Sequence, residues 1–280
     1  MKIRLPLHAF LLALLSAGAA LAYPPAPFHR IYGMVRDDHG NPLGASDAVI
    51  ILSGEGNAEI VRGPSDTALG IGVNYSLSVP MDTGVLDQLY KVTALRPTYP
   101  FTIRVIRGGA SYVPIQMQGT SWKVGDPAGS TRIDLTLGLD SDGDGLPDAW
   151  EKEVIRTDTT GKFKDLSQIK PSEDIDGDGL SNLQEYIAGT YALDSGDGLF
   201  LSILSVSNGY AHLQFLTIAK RSYRLKSSVD LATFSAQPFA LAPADASLLL
   251  PGLLARDTKL MDVYVPVGNA PGKSFRLYVD

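Results

Sequence analysis

The chain of 280 residues contains no cysteine. Disulfides and a cysteine nucleophile are therefore excluded, and stability must come from apolar cores or from a metal held by other ligands. The G-x-S-x-G and H-E-x-x-H motifs are also absent, which argues against the serine and zinc hydrolases that these motifs identify. The sequence predicts a protein that is not an enzyme.

Histidine is scarce as well, with four residues in the whole chain. His39 lies in a turn-rich stretch and is predicted to be a surface residue, whereas His212 lies in a predicted strand and is expected to be structural. His29 has no obvious partner in the sequence. A hydrolase that depends on calcium is an alternative, and a pocket joining a histidine to two carboxylates would favour it.

Basic residues are few where the chain is most acidic. The formal net charge is -6, and between Asp134 and Asp197 there are 16 acidic residues against 5 basic ones. No basic face is available to replace the counterions of a phosphate backbone, so nucleic acid is not an expected partner. The acidity is local and points to metal chemistry in this segment.

Two stretches of twelve residues, starting at Asp140 and at Asp174, match the calcium-loop pattern D-x-[DN]-x-[DN]-G-x5-E at every specified position. They are DSDGDGLPDAWE and DIDGDGLSNLQE, and the second begins 34 residues after the first. One chance match in a chain of this length is expected on the order of once in a thousand sequences, so a chance pair is negligible. The alternative of an acidic, Gly-rich linker is therefore disfavoured.

Calcium takes about six to eight oxygen ligands from a chain that curls around it. Loop positions 1, 3 and 5 supply carboxylates, the glycine at position 6 allows the sharp turn, and position 7 offers its backbone carbonyl. Position 9 often acts through water, and the glutamate at position 12 binds with both oxygens. The predicted ligands of two Ca²⁺ sites are Asp140, Asp142, Asp144, Leu146, Asp148 and Glu151, and Asp174, Asp176, Asp178, Leu180, Asn182 and Glu185.

A short helix is predicted after each loop. Trp150 and Val154 are spaced to share one helical face, as are Leu183 and Tyr186 in the second copy. Gly189 is a predicted stop for the second helix. Trp150 is expected to be a core residue, because such a small unit has little else to bury.

The two motifs and the helices after them resemble the thrombospondin type 3 and EF-hand repeats of secreted bacterial proteins, over about residues 134–198. The duplicated loop and helix also resembles a dockerin, which implies calcium binding and docking on a cohesin partner. Two features depart from these families. EF-hands and dockerins usually have Ile or Val at loop position 8, where this chain has Pro147 and Ser181, and residues 132–139 before the first loop predict a strand.

The first 22 residues have the pattern of a secretory signal. Lys2 and Arg4 precede an apolar run, and Ala20-Leu21-Ala22 predicts cleavage after Ala22. No other stretch approaches the roughly 20 apolar residues that a membrane span needs. We therefore expect a secreted protein, periplasmic or extracellular, without a membrane span after cleavage.

Short strands are predicted on both sides of the loops, because apolar residues alternate between Gly and Pro clusters. Asn208-Gly209 predicts a tight hairpin. The predicted strands are residues 31–36, 48–53, 75–79, 101–106 and 113–117, and residues 200–206, 210–215, 222–227, 261–265 and 274–279.

Residues 33–43 are similar to the start of carboxypeptidase-regulatory-like and related Ig-type β modules, which implies a binding or spacer domain. Residues 223–231 are similar to a stretch in small β modules that follow such calcium repeats. The predicted fold is mainly β, with two small antiparallel β-sandwich-like modules at residues 23–139 and 199–280. The tandem calcium-binding loop-helix repeats at residues 140–198 join them.

The leading hypothesis is a secreted, non-enzymatic calcium-binding protein in which Ca²⁺ makes the connector between β modules rigid. One alternative is an adhesion or dockerin-like docking module, which binds an extracellular protein or glycan when calcium is present. A secreted hydrolase that depends on calcium is the third and least favoured. The sequence makes no prediction of the oligomeric state.

Overall fold

The computed structural model describes residues 25–84, 87–243, 248–268 and 272–280, and the predicted signal, residues 1–22, lies outside this part. The prediction of a mainly β protein is confirmed by several sheets and two short α-helices in the described residues. Three buried apolar clusters divide the chain. We call the corresponding segments the N-terminal β region (residues 26–137), the connector (residues 140–198) and the C-terminal β region (residues 199–280).

The N-terminal β region contains strands β1 (Ala26–Gly33), β2 (Val35–Arg36), β3 (Ala48–Ser53), β4 (Glu59–Pro64), β5 (Tyr75–Met81), β6 (Pro100–Arg107), β7 (Ala110–Tyr112), β8 (Trp122–Lys123), β9 (Ser130–Arg132) and β10 (Leu135–Thr136). One sheet has the order β5-β1-β9, and the other has the order β4-β3-β6-β7 with β8 also beside β6. Along β6 the side chains of Phe101, Ile103 and Val105 are buried between exposed neighbours. This alternation gives the sheet one core face.

Two strand pairs depart from the predicted antiparallel arrangement. β9 runs parallel to β1, with Ile31 opposite Thr131, and β10 runs parallel to β2, with Val35 opposite Leu135. Parallel neighbours require a long connection, and here the whole of β3 to β8 lies between them. The sheets are therefore mixed, which alternation along single strands does not reveal.

The strand predicted at residues 113–117 is wrong. This segment forms a 3₁₀ helix, Ile115–Met117, directly after Pro114. Pro114 has no backbone N–H to donate to a sheet and its φ is fixed near the helical value. Ile115 and Met117 are both buried. The alternation of apolar residues at 113–117 therefore correctly predicts a buried segment but not its backbone conformation.

The C-terminal β region contains strands β11 (Leu201–Ser207), β12 (Tyr210–Thr217), β13 (Ser222–Ser228), β14 (Ser235–Gln237), β15 (Leu253–Leu254), β16 (Lys259–Pro266) and β17 (Ser274–Val279). One sheet has the order β11-β12-β16, and in the other β13 pairs with β14, β15 and β17. Asn208 and Gly209 both have positive φ, 51° and 80°. They form the tight turn between β11 and β12 that the sequence predicts.

The connector contains α1 (Asp148–Thr157), a short 3₁₀ helix (Leu166–Gln168) and α2 (Asn182–Ala188). Ser181 and Gln184 form a capping box at the start of α2, and Gly189 ends it with a left-handed φ of 82°. Trp150 is buried and its ring meets that of Tyr186 edge to face, with the centroids 6.1 Å apart. The two helices therefore share one small core.

Helix α2 contacts both β regions. The hydroxyl of Tyr186 donates to the carbonyl of Asp37 in the N-terminal β region, at 2.8 Å. The guanidinium of Arg221, in the C-terminal β region, donates from Nε to the carbonyl of Ala188 at 3.2 Å. Arg221 is fully buried, and a cation at a helix C-terminus opposes the negative end of the helix dipole.

The two β regions also meet directly. The carboxylate of Asp280 accepts a hydrogen bond from Arg224 at 2.7 Å, and it lies 3.5 Å from the guanidinium of Arg132 in the N-terminal β region. Within the described residues, neither helix is long and apolar enough to span a membrane.

Candidate metal centres

Loop 1, residues 140–151, curls around the side chain of its first residue. Asp140 accepts hydrogen bonds from the backbone N–H groups of Gly143 at 2.8 Å and Gly145 at 3.0 Å. The carboxylates of Asp140, Asp142 and Asp144 converge, with one oxygen from each within 4.8 Å of the others. The first half of the loop therefore presents three acidic ligands to one point.

Loop 2, residues 174–185, curls around its first aspartate in the same way. Asp174 accepts from the N–H groups of Gly177 at 2.7 Å and Gly179 at 2.9 Å. Its three carboxylates, from Asp174, Asp176 and Asp178, converge within the same limit of 4.8 Å. Two separate stretches of chain thus adopt one loop geometry, as their shared sequence pattern predicts.

A backbone hydrogen bond closes each loop at its ninth position. The N–H of Asp148 donates to the carbonyl of Leu139 at 2.8 Å, and the N–H of Asn182 donates to the carbonyl of Glu173 at 2.7 Å. Each acceptor precedes the first aspartate of its loop. Both helices begin at this position, so the helix start is fixed relative to the carboxylates.

The glycine at loop position 6 is required by the turn. Gly145 has a φ of 102° and Gly179 a φ of 98°, a conformation that other residues rarely adopt. The turn directs the rest of the loop back toward the three aspartates.

The glutamate at loop position 12 is the most informative residue of each site. Glu151 on α1 is 0% exposed and Glu185 on α2 is 1% exposed. Within the described residues, none of their four carboxylate oxygens has a hydrogen-bond partner. A buried carboxylate without a partner costs several kcal/mol, so these side chains need a proton or a cation.

The electrostatic environment supports this conclusion. Burial raises the pKa of Glu151 to about 8, and the charges of Asp144, Asp142, Asp148 and Asp140 add to the effect. For Glu185, burial and the charges of Asp176, Asp178 and Asp174 likewise raise the pKa to about 8, opposed weakly by Thr190. The charges of the aspartates reach both glutamates, so each glutamate lies close to its own group of aspartates.

The residues fit a hard divalent cation. Each site combines three aspartates that converge with one buried glutamate that lacks a partner, and all of these ligand atoms are oxygens. Buried oxygens without partners also include Oδ2 of Asp176 and Oδ2 of Asp178. A divalent cation removes the repulsion among these charges and satisfies the buried oxygens at the same time.

The ninth positions differ between the loops. Both oxygens of Asp148 accept hydrogen bonds: Oδ1 from the N–H of Ser141 at 2.7 Å, and Oδ2 from the Ser141 hydroxyl at 2.8 Å and from Lys152 at 3.0 Å. Asn182 donates through Nδ2 to the carbonyl of Lys170 at 2.7 Å, while its Oδ1 is buried without a partner. The predicted ligand Asp148 is therefore engaged in hydrogen bonds that brace loop 1. Position 9 often contacts the metal through a water molecule, and this arrangement of Asp148 suits such a role.

The three histidines of the described residues lie outside the two loops. His29 is buried, and its ring nitrogens lie 2.7 Å from the carbonyl of Asp126 and 2.9 Å from the hydroxyl of Thr131. The expectation that His29 lacks partners is therefore wrong, because partners about 100 residues away cannot be read from local sequence. His39 is exposed beside Asp38 and lines a cleft that also contains Glu153 and Asp194, and a histidine with two carboxylates is the arrangement that would favour the hydrolase alternative. His212 pairs with Asp262 at 2.9 Å on its own sheet.

The sequence pattern gave no indication of two other residues beside loop 2. The hydroxyl of Thr190 is buried close enough to Glu185 to lower the pKa of that carboxyl group. Gly198 lies so close to loop 2 that a methyl group at this position would be 2.2 Å from Oδ2 of Asp178. The Asp197-Gly198 dipeptide is a turn signal, but the sequence does not indicate that the turn packs on the loop.

Comparisons of the chain with protein-family models, with curated proteins and with solved structures found no match.

Proposed function

We propose that this is a secreted, non-enzymatic protein that binds two calcium ions, one in each loop. The observation that carries the proposal is the pair of fully buried glutamates, Glu151 and Glu185, whose oxygens lack partners beside three aspartates each. A cation of high charge is the simplest group that stabilises such an arrangement at neutral pH.

Calcium suits the donor set better than magnesium does. Magnesium demands a near-ideal octahedron and keeps several waters, whereas calcium accepts six to eight oxygens in a flexible shell. Asp140, Asp142, Asp144 and Glu151 would supply carboxylates in loop 1, with the Leu146 carbonyl and a water held by Asp148. In loop 2 the corresponding ligands would be Asp174, Asp176, Asp178, Leu180, Asn182 and Glu185.

The proposed role of calcium is to hold the connector in one shape between two β-sandwich-like modules. The apolar cluster of the connector has only seven buried members, and a core of this size adds little stability of its own. Bound calcium would fix the start of α2, and α2 contacts the N-terminal β region through Tyr186 and the C-terminal β region through Ala188. Calcium would thereby fix the relative positions of all three segments.

The test compares thermal unfolding with excess calcium and with a chelator. At free calcium about 100 times Kd, each independent site would add about 2.7 kcal/mol to the free energy of unfolding. The double variant Glu151→Gln, Glu185→Gln should unfold in calcium at the temperature seen with chelator. Glu153→Gln is the matched control, since Glu153 on α1 is only half-buried and pairs with Arg156. Equal melting temperatures with calcium and with chelator would refute the proposal.

One observation favours a second candidate, a calcium-dependent adhesion module that binds a glycan. A cleft of 750 Å³ is lined by Trp150, Tyr191, Glu153 and Asp194, among others, and the Tyr191 side chain is 67% exposed. Aromatic rings beside carboxylates suit the apolar faces and hydroxyl groups of sugars. Glycan-array binding that requires calcium and is lost in Tyr191→Ala would support this function, and equal binding with chelator would exclude it.

A further inference from the structure

A second cleft lies between the two β regions, away from the metal loops. Its volume is 290 Å³, near the lower end of the range of about 300 to 1,000 Å³ for small-molecule sites. Met34, Leu43 and Val73 line it from the N-terminal β region, and Leu254 and Ala255 line it from the C-terminal β region. Apolar clefts between structural units are a preferred location for small ligands.

The polar side chain of Asn74, which also lines the cleft, makes its hydrogen bonds within the protein. Its Nδ2 donates to the carbonyls of Val35 at 3.0 Å and Leu43 at 2.9 Å, and its Oδ1 accepts from the N–H of Val35 at 2.6 Å. Asn74 therefore offers no unsatisfied polar atom to a ligand. It strengthens the apolar character of the wall.

The charged residues of the cleft are both basic. Lys220 and Arg256 line it, and no acidic residue does so in the part of the chain that the structure describes. Neither side chain forms an ion pair or hydrogen bond with a described residue. Two unpaired cations beside an apolar wall favour an anionic group on an apolar ligand, although the chain as a whole is acidic.

The backbone of the turn between β12 and β13 fixes where Lys220 lies in the cleft. Lys220 has a φ of 70°, which is unfavourable for a residue with a side chain and is available to glycine without this cost. Its N–H donates to the carbonyl of Ala255 at 2.8 Å, so Lys220 is held beside Ala255 on the wall that the C-terminal β region supplies. This contact places Lys220 next to the segment that carries Arg256.

We propose that this cleft binds a small carboxylic acid with an apolar body. The carboxylate would pair with Lys220 and Arg256, and the body would lie against Met34, Leu43 and Leu254. The proposal does not depend on metal binding, so the experiment is done in saturating calcium and again with chelator at a temperature where the protein is folded.

The test uses the full chain with methionine methyl groups labelled with ¹³C, titrated with 4-phenylbutyrate. The phenyl ring shifts nearby resonances, and Met34 lines the cleft while Met81, Met117 and Met261 lie elsewhere in the two β regions. We expect the Met34 resonance alone to move and to saturate, with a Kd on the order of 1 mM or tighter. The neutral amide, 4-phenylbutyramide, should bind at least about tenfold more weakly.

Two variants test the assigned residues. Lys220→Gly removes the cation and also the unfavourable φ of a residue with a side chain. Together with Arg256→Ala it should weaken the binding of 4-phenylbutyrate until its Kd equals that of the amide. Lys91→Ala, an exposed lysine outside the cleft, is the matched control and should leave Kd unchanged. The three distant methionine resonances report whether each variant is folded.

Three results would overturn the proposal. They are no saturable shift of Met34, shifts of Met81, Met117 and Met261 equal to that of Met34, and an amide that binds as tightly as the acid. A double variant that stays folded and keeps the wild-type Kd would contradict the role of Lys220 and Arg256.

Discussion

In both loops the first aspartate accepts hydrogen bonds from two glycine N–H groups, but the helices that follow the loops lie in different surroundings. The buried residues of α1, Trp150 and Val154, pack inside the connector. Helix α2 places Tyr186 against the N-terminal β region and Ala188 against a buried arginine of the C-terminal β region. Two loops with the same sequence pattern are therefore followed by helices with different roles. Helix α1 packs within the connector, and α2 contacts both β regions.

The N-termini of the two helices are also stabilised differently. Pro147 precedes α1 without any side-chain cap, and loop 1 is braced instead by Asp148 with Ser141 and Lys152. Helix α2 has a capping box but only seven residues, a length at which an isolated helix is unstable in water. We therefore expect α2 to depend more strongly on its neighbours and on its metal.

The largest effect on the free energy of unfolding is expected when each buried glutamate is replaced singly. Glu151→Gln and Glu185→Gln should each remove the stabilisation from one site, about 2.7 kcal/mol at free calcium near 100 times Kd. Only Glu185→Gln should also speed hydrogen exchange at residues 37–41, the turn that Tyr186 contacts. Exchange measured by mass spectrometry checks this, and equal acceleration in both variants would show that the loops do not differ in this way.

The second prediction concerns the end of α2. Gly189→Ala places a methyl group 2.8 Å from Nη2 of Arg221 and adds a side chain at a φ of 82°. The free energy of unfolding should fall by about 2 kcal/mol, about half of it from backbone strain. Gly209→Ala is the matched control, because its φ is 80° and nothing lies within 4 Å of the added methyl group. Its cost should be about 1 kcal/mol, and equal costs in urea unfolding would exclude a role for the Arg221 contact.

The third prediction is a pH dependence shared by both loops. In the metal-free fold the pKa of Glu151 and of Glu185 is raised to about 8, so both are mostly protonated at pH 7, and calcium must displace the proton. Calcium affinity should rise about tenfold per site from pH 7 to pH 9. Calorimetry in buffers of different ionisation enthalpy should detect up to about one proton released per site at pH 7.

The metal-free protein should show the opposite trend. A carboxyl group whose pKa is higher in the folded state than in the unfolded state stabilises the fold at low pH, and this contribution is lost as pH rises from about 4.5 to 8. With chelator, these two groups should therefore lower stability as pH rises through this window. Stability that is unchanged between pH 5 and pH 8 in chelator would contradict the assigned burial.

The smallest effect is expected at the contact between α2 and the N-terminal β region. Tyr186→Phe removes the hydrogen bond to the carbonyl of Asp37 and should cost about 1 kcal/mol. Tyr210→Phe, whose hydroxyl has no hydrogen-bond partner in the described residues, should change the free energy of unfolding little. If both variants match the wild type, the contact does not hold the segments together.

Local patterns predicted much of the structure. Residues 48–53 and 274–279 are strands as predicted, and Asn208-Gly209 forms the predicted turn. The positions of the loop ligands follow from the motif, since the glycine turns are set by residues a few positions apart. β4, residues 59–64, was missed because its EIVRGP sequence lacks clear alternation and contains both Gly and Pro.

Contacts between distant residues could not be predicted in this way. Tyr186 and Asp37 are 149 residues apart, and no local signal indicates that the Tyr186 hydroxyl meets the Asp37 carbonyl. No local signal indicates that Arg221 is buried, because its acceptor is a backbone carbonyl on α2. The full burial of Glu151 and Glu185 depends on how the connector packs, which the motif alone does not specify.

The parallel pairing of β1 with β9 also sets an order of events during synthesis. Arg30 lies opposite Ser130, so the first strand waits about 100 residues for this neighbour, and contacts so distant in sequence form slowly. Loop 1 begins at Asp140, eight residues after β9 ends. Closure of the first sheet therefore fixes the segment that leads into loop 1, and under the proposed function the calcium concentration where the exported chain folds would influence how the rest of the molecule assembles.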